Sequence, residues 1–433
     1  MPVKPPVPNT TGDGWPKVFA GLAGAWLGVV LLKFGNPVIL DRMIEPPTGF
    51  WEFVFNSWPV AWGLVMLAAL LIACAPVVRF KTGASLWVLA LPFVWFTWQL
   101  IAATGTVDVG LTRATLTHFA VCILCFCLGL FALSRVEDLT PFWVFLLAGF
   151  VWVLWIGLGQ HFGGLESTRR MIYAQPEWQQ LPPEYMKRIA SNRIFSTFVY
   201  PNALAGSILL LLPPLLGVAV KLTRRMGNIA RGVMVGLLAY AGIACLYWSG
   251  SKSGWLIALV LGLAGLLRVP FQRKLKLAIA GTALAIGLIG FFLKFSDYFE
   301  RGATSVGARF DYWRAAWRTA RTHPFVGTGP GTFSVQYKLL KSPESEMTRL
   351  VHNDYLEQAS DSGFPGFLAY ASFVFASLAV LYRKTHKSLL HFLVWLGLAG
   401  WALQGFVEFG LYIPALAWPA FLFFGWLWAT DAK

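Results

Sequence analysis

His352-Asn353 and the arginines upstream of it are the side chains in this sequence best suited to carry chemistry. An imidazole at the edge of an apolar run, close to a basic helix, suits taking a proton from a hydroxyl near neutral pH. A guanidinium stays charged and offers paired donors to oxyanions, so Arg309, with Arg314, Arg318 and Arg321 beyond it, suits an anion clamp. All lie in 309–366, the longest polar stretch between hydrophobic runs, which holds two of the six histidines.

Each residue also has a plainer reading. Arg309, Trp313 and Trp317 recur at four-residue spacing and Arg314, Arg318 and Arg321 form a second stripe, which describes an amphipathic helix at a membrane surface. On such a helix tryptophans anchor at the interface and arginines snorkel to headgroups. Asn353 reads as a helix N-cap, with Asp354 and Glu357 favoured in the first turn, which leaves His352 unexplained. The segment Pro324 to Phe333, with Gly327, Gly329 and Gly331, reads as a tight turn. It has neither the preceding strand nor the Lys-Ser/Thr pair of a nucleotide loop.

Two more segments offer polar groups to the same anion. Asn192 to Asn202, with Arg193, Pro201 and Asn202, leads directly into an apolar run and begins it in the manner of a Pro-Asn helix start. Trp248 to Gly254 forms a short turn around Ser251, Lys252 and Ser253.

Composition sets the elements that must position these groups. With 57% hydrophobic and 13% charged residues over 433 positions, the chain is a polytopic membrane protein, all-α and read as a single membrane domain, 1–433. Spans are expected near 17–34, 55–77, 85–103, 115–134, 141–160, 203–221, 231–248, 253–268, 276–295, 364–382, 388–407 and 411–430, about twelve in all. The five cysteines fall inside apolar runs and pack as small hydrophobes. The Pro/Gly-rich N-terminus lacks the early apolar core of a signal peptide, so the first span is expected to stay.

Short loops on one side collect Lys4, Lys17, Arg79, Lys81, Arg135, Arg224, Arg225, Arg273, Lys274, Arg383 and Lys384, which assigns that side, and both termini, to the cytoplasm. The long loops 161–202 and 296–363 then face outward. They are basic, through Arg169, Arg170, Lys187, Arg188, Arg193, Arg301, Arg309 and their neighbours, and long loops escape the orientation rule. An anionic ligand at the outer surface explains this charge; the net charge of +15 is otherwise spent on orientation, which argues against nucleic acid. The spans hold few ionisable groups, and His118, His391, Lys294 and Glu408 make no series along a pathway, which counts against an ion-coupled transporter.

Arg193 with Pro201-Asn202, then Ser251 to Gly254, then Arg309 with Trp313, then Pro324 to Phe333, then His352-Asn353 and Gly363 to Gly366, together resemble the O-antigen ligase and O-antigen polymerase superfamily of bacterial membrane glycosyltransferases. The resemblance is clearest over 190–370. It implies a glycosyltransferase-C-like helical fold and a metal-independent, inverting transfer of a glycan from an undecaprenyl-pyrophosphate carrier to a hydroxyl acceptor, without a cofactor. The transfer would occur on the periplasmic face of the bacterial inner membrane. In ligases the acceptor is a sugar of the lipid A core; in polymerases it is another lipid-linked repeat, and protein O-glycosylation is a third version.

The positions matching the family's functional residues are Arg193, Arg309 and His352. The arginines would stabilise the departing pyrophosphate and His352 would deprotonate or orient the acceptor hydroxyl. Asn353 would position the acceptor; Asn202, Arg314 and Arg318 are further candidate contacts. Lys252 stands where relatives often carry arginine and is expected as an accessory phosphate contact. No acidic pair in these outer loops has metal-site spacing, with Asp41 and Glu45 in the first loop as the remaining carboxylate pair. A function of another class, export of lipid-linked oligosaccharides, would also use a basic outer surface and many spans.

Overall fold

The structure is a computed structural model that describes residues 14–80, 86–174, 186, 190–266, 268–300 and 304–429. Lys4 and Lys81 of the orientation set, and Lys187, Arg188 and Arg301 of the outward loops, lie outside the described residues.

The chain is helical throughout the described residues. Helices α1 (Gly14–Lys33), α2 (Phe50–Phe55), α3 (Val60–Cys74), α4 (Leu86–Ala102), α5 (Val109–Phe131), α6 (Thr140–Gly159), α7 (Leu165–Tyr173) and α8 (Pro201–Leu222) make up the first half. The second half contains α9 (Asn228–Trp248), α10 (Lys252–Leu266), α11 (Arg273–Glu300), α12 (Thr304–Thr322), α13 (Phe333–Leu340), α14 (Asp354–Lys384), α15 (Leu389–Gln404) and α16 (Pro414–Ala429). An isolated bridge between Gly35 and Phe198 is the extended pairing recorded among these residues.

Each expected span falls on an apolar helix. Among the described residues seven helices are long and apolar enough to cross a membrane: α1, α5, α6, α8, α9, α11 and α14. Five shorter apolar helices cover the other expected spans. The bundle is built around α16, every residue of which is buried. It packs on α5, α1, α15 and α8. The α5–α16 approach is close enough that a Cβ on Gly425 would overlap the Phe126 carbonyl, which is how membrane helices maximise packing without a hydrophobic gradient between them.

Two elements depart from the expected spans in ways that matter for chemistry. Helix α14 begins ten residues before the expected span at 364, because Asn353 caps it: its Oδ1 accepts from Tyr355 N and Leu356 N, each at 3.0 Å. The helix then breaks at Gly363, whose φ of 71° only glycine adopts without strain. The stretch 296–363, expected as an outward loop, is also not a plain loop, since it contains α12 and α13.

The glycine-rich turn locks onto that break. Gly329 N donates to the Asp361 carbonyl at 2.8 Å, Gly331 N donates to Asp361 Oδ2 at 2.7 Å, and Phe364 N donates to the Pro324 carbonyl at 2.8 Å. A Cβ on Gly327 or Gly363 would overlap the backbone of the other segment. The turn is therefore a fitted joint between α12 and α14. It fixes where the N-terminal part of α14 points.

The remaining carboxylate pair of the first loop does not converge. Asp41 Oδ1 accepts from Val60 N at 2.8 Å, while Glu45 is exposed. Among the cysteines four are buried and Cys127 is partly so, as small apolar side chains.

Candidate active site

The site assembles from five segments that meet at one end of the bundle. Its hub is Glu408, buried in the turn between α15 and α16. Oε1 of Glu408 accepts from Arg309 Nη2 and from Asn202 Nδ2, both at 2.5 Å, and Oε2 faces His352 Nδ1 at 3.2 Å. Arg193 completes the cluster from the other side: its Nη2 donates to Asn202 Oδ1 at 2.6 Å and its Nε to the Ser249 carbonyl at 2.7 Å. Three of the residues singled out for chemistry, together with Asn202, thus share one carboxylate and its partner.

Local sequence explains each placement. Arg309 lies on the inward face of α12, the face that also buries Tyr312, Ala316 and Ala320. Arg193 packs against the Ser249–Ser251 turn, where Gly250 has φ 61° and leaves no room for a side chain beside the arginine stem. Asn202 sits in the first turn of α8, where Pro201 starts the helix. His352 takes φ 57°, a left-handed conformation rare for residues with a Cβ. That turn is held on both flanks, by the Asn353 cap and by Glu357 Oε2, which accepts from Val351 N at 3.1 Å. Strain that persists because its surroundings determine it is a feature of functional positions.

The Glu408 turn is held just as firmly. Asp354 N donates to the Gly405 carbonyl at 2.7 Å, and Asp354 Oδ2 accepts from Leu411 N at 3.1 Å. One residue, two positions after His352, therefore brackets the turn that carries Glu408.

Electrostatics follow from this packing. Burial alone would raise the Glu408 pKa, but the Arg309 charge, the His352 hydrogen bond and charge, and Arg193 outweigh it and hold the carboxyl below its ordinary value. Burial lowers Arg193, Glu408 offsets part of that, and Arg309 adds to it. A guanidinium starts from so high a value that it stays charged. Lys252, at the head of α10, shares the same electrostatic neighbourhood as Arg193 and Arg309. Arg193 and Arg309 act on the Glu408 carboxylate, and Lys252, whose ammonium lies over the Phe295 ring, adds positive charge beside the two arginines.

The arrangement also fixes a tautomer. An ionised carboxylate can only accept, so His352 Nδ1 is the donor toward Glu408, and in the neutral ring Nε2 is then the nitrogen with the lone pair. The ring is braced by Tyr312, stacked at 5.9 Å, and by the edge of Phe409 at 4.7 Å. A base oriented by a carboxylate, beside paired cations, can take a proton from a hydroxyl while an anionic leaving group is stabilised.

The other candidates fall elsewhere. Asn353 is nearly buried and spends its Oδ1 on the helix cap. Arg314 and Arg318 are exposed on the face of α12 opposite Arg309, and Arg314 Nη1 pairs with Asp311 at 3.3 Å. At about 100° per residue, positions 314 and 318 stand roughly 140° and 180° from position 309, so these arginines do not join the cluster. Glu408 itself was passed over by the sequence reading as a residue at the end of an apolar run. The available signal was its isolation: it is the one Asp or Glu between Asp361 and Asp431.

Among the described residues, an all-helical apolar bundle with this polar cluster at one end defines a polytopic membrane protein. Residues 235–371 match the family model described as O-Antigen ligase. The matched region contains Lys252, Arg309, His352 and Asn353, whereas Arg193, Asn202 and Glu408 lie outside it. An uncharacterized protein of Haemophilus influenzae is 30% identical over 144 residues, covering 28% of this chain and 36% of that relative. The match thus spans about a third of the length of this curated relative.

Proposed function

We propose that the protein is a membrane glycan ligase of the O-antigen ligase type. It transfers a glycan from undecaprenyl pyrophosphate to a hydroxyl acceptor such as the lipid A core, on the periplasmic face of a bacterial inner membrane. The observation that carries this reading is the Glu408 carboxylate joining His352, Arg309 and Asn202, with Arg193 on Asn202.

In this reading the pyrophosphate enters the positive excess around Arg193, Arg309 and Lys252. Each guanidinium keeps Nη1 for it after its bonds to Glu408, Asn202 and Ser249. Charge develops on the leaving phosphate as the anomeric C–O bond breaks, and fixed donors stabilise it without reorganisation. His352 Nε2 takes the acceptor hydroxyl proton while its oxygen attacks the anomeric carbon from the opposite side, which inverts configuration in one displacement. Glu408 stabilises the imidazolium that results. The arginines supply the charge stabilisation that a metal would otherwise provide. The five shorter apolar helices cross the membrane with the seven long ones, and both long connections face the periplasm as parts of a single domain.

The test is product analysis with a lipid-linked donor of defined length and a lipid A core acceptor. A ligase attaches the donor glycan to the acceptor with inverted linkage. Elongation of the donor glycan with the acceptor ignored would make the protein a polymerase, and retention of configuration would overturn the single displacement.

A further inference from the structure

Helix α2 is short, apolar and uncovered. Phe50, Trp51, Phe53 and Phe55 are 71%, 70%, 45% and 67% exposed, and no residue of the helix is buried. Such a surface on a soluble face would be a liability.

Its C-terminal carbonyls are nevertheless partnered largely from within the protein. The last carbonyls of a helix have no intrahelical donors and normally turn to water. Here the Lys33 ammonium, on a residue only 8% exposed, donates to the carbonyls of Phe53 at 2.8 Å, Val54 at 2.5 Å and Asn56 at 3.1 Å. At the other end Glu52, the helix's charged residue, turns to Thr48, accepting from its N and Oγ1 at 2.8 Å each. Carbonyls capped in this way need water less, which favours a place in hydrocarbon.

Length and continuity point the same way. Helix α3 has 15 residues, about 22 Å, which falls short of a hydrocarbon core of about 30 Å. Helix α2 stands at its N-terminal end, where that thickness is left uncovered, and the aromatic row Phe53, Trp58, Trp62 joins the two helices, with centroids 4.6 Å and 5.2 Å apart. Further along α3, Val65 and Ile72 are exposed as a lipid-facing belt. The end of α1 that carries Lys33 is also tied to the site's end of the bundle, through Thr197 Oγ1 to the Leu31 carbonyl at 2.8 Å and Ala415 N to the Phe34 carbonyl at 3.1 Å.

We propose that α2 is a lipid-embedded finger, its aromatic face covered by the acyl chains of the leaflet at the site's end of the bundle and its carbonyls capped by Lys33. The inference rests on the membrane class of the chain and not on glycan transfer.

A nitroxide placed by Phe55→Cys, in a background lacking the five native cysteines and in bilayer discs, tests it by collision with oxygen and with a water-soluble nickel chelate. Val65→Cys supplies the lipid reference and Arg318→Cys the aqueous one. The expected result is oxygen collision well above nickel collision, as at position 65. Dominant nickel collision would place the finger in water, and low collision with both would mean that protein, such as a second copy, covers it; either result overturns the proposal. With Lys33→Met added, the label's nickel collision should rise several-fold. An unchanged ratio would remove Lys33 from the account.

Discussion

His352 and Glu408, 56 residues apart in sequence, meet with Nδ1 and Oε2 at 3.2 Å, and the same carboxylate holds Arg309 through its other oxygen. In the proposed function one acidic side chain thus orients the base and tethers the anion clamp. Changing it should disturb proton transfer and leaving-group stabilisation together.

Glu408→Gln keeps the shape and removes the charge. The account expects kcat to fall by about 10²–10⁴-fold, the range seen when an orienting carboxylate is neutralised, with the fold retained. Glu408→Ala also leaves Arg309 buried without its partner and should cost about 3–5 kcal/mol of stability. Transfer kinetics and thermal melting in one detergent separate the two effects.

The same carboxylate sets an acid limit. Its folded-state pKa lies below the ordinary 4.5, so its stabilising contribution is present above that value and is lost as pH falls through the folded pKa. Melting temperature should therefore drop below about pH 4.5, and the drop should be shallower in Glu408→Gln. Equal slopes in the two proteins would show that other groups govern the acid limit.

Inner and outer arginines should behave differently. Arg193 donates in two directions, to Asn202 and to Ser249, a geometry that a lysine ammonium on a single stem does not reproduce. Arg193→Lys should lose about tenfold or more in kcat/KM, while Arg318→Gln, on the opposite face of α12, should stay within about twofold. A large loss at Arg318 alone would move the anion to the outer face.

Asp354 brackets the Glu408 turn through a bond that its amide isostere can keep. Asp354→Asn should retain most activity, whereas Asp354→Ala should lower kcat by about tenfold with little change in donor KM, as misplacement of a catalytic group does. If Asp354→Ala only lowered the folded fraction and left kcat per folded molecule intact, Asp354 would have no positioning role.

The all-α polytopic class was legible because long apolar runs admit few readings; among the described residues seven of the expected spans lie on helices long enough to cross a membrane and the other five on shorter apolar helices. His352, Arg309, Arg193 and Asn202 were singled out from residue type and the family resemblance, and the structure brings them together at Glu408. Glu408 was not singled out, because a single acid at the end of an apolar run has no local pattern. Its meaning comes from partners 56, 99 and 206 residues away. The stripe of Arg314 and Arg318 misdirected the reading for a related reason. Helical spacing shows which residues share a face but not which face turns inward, and here the core claimed the side of Tyr312 and Ala316. Likewise the onset of α14 at Asp354 reflects an Asn353 cap and a tolerated break at Gly363, which hydropathy alone does not register.

The measurement closest to the central claim is transfer of glycan from an undecaprenyl-pyrophosphate donor to purified lipid A core in the presence of a chelator, comparing wild type with His352→Ala at matched folded concentration. The account expects product from the wild type and almost none from the variant. Equal activity in the two proteins would contradict it, because the base would then lie outside the cluster that Glu408 assembles.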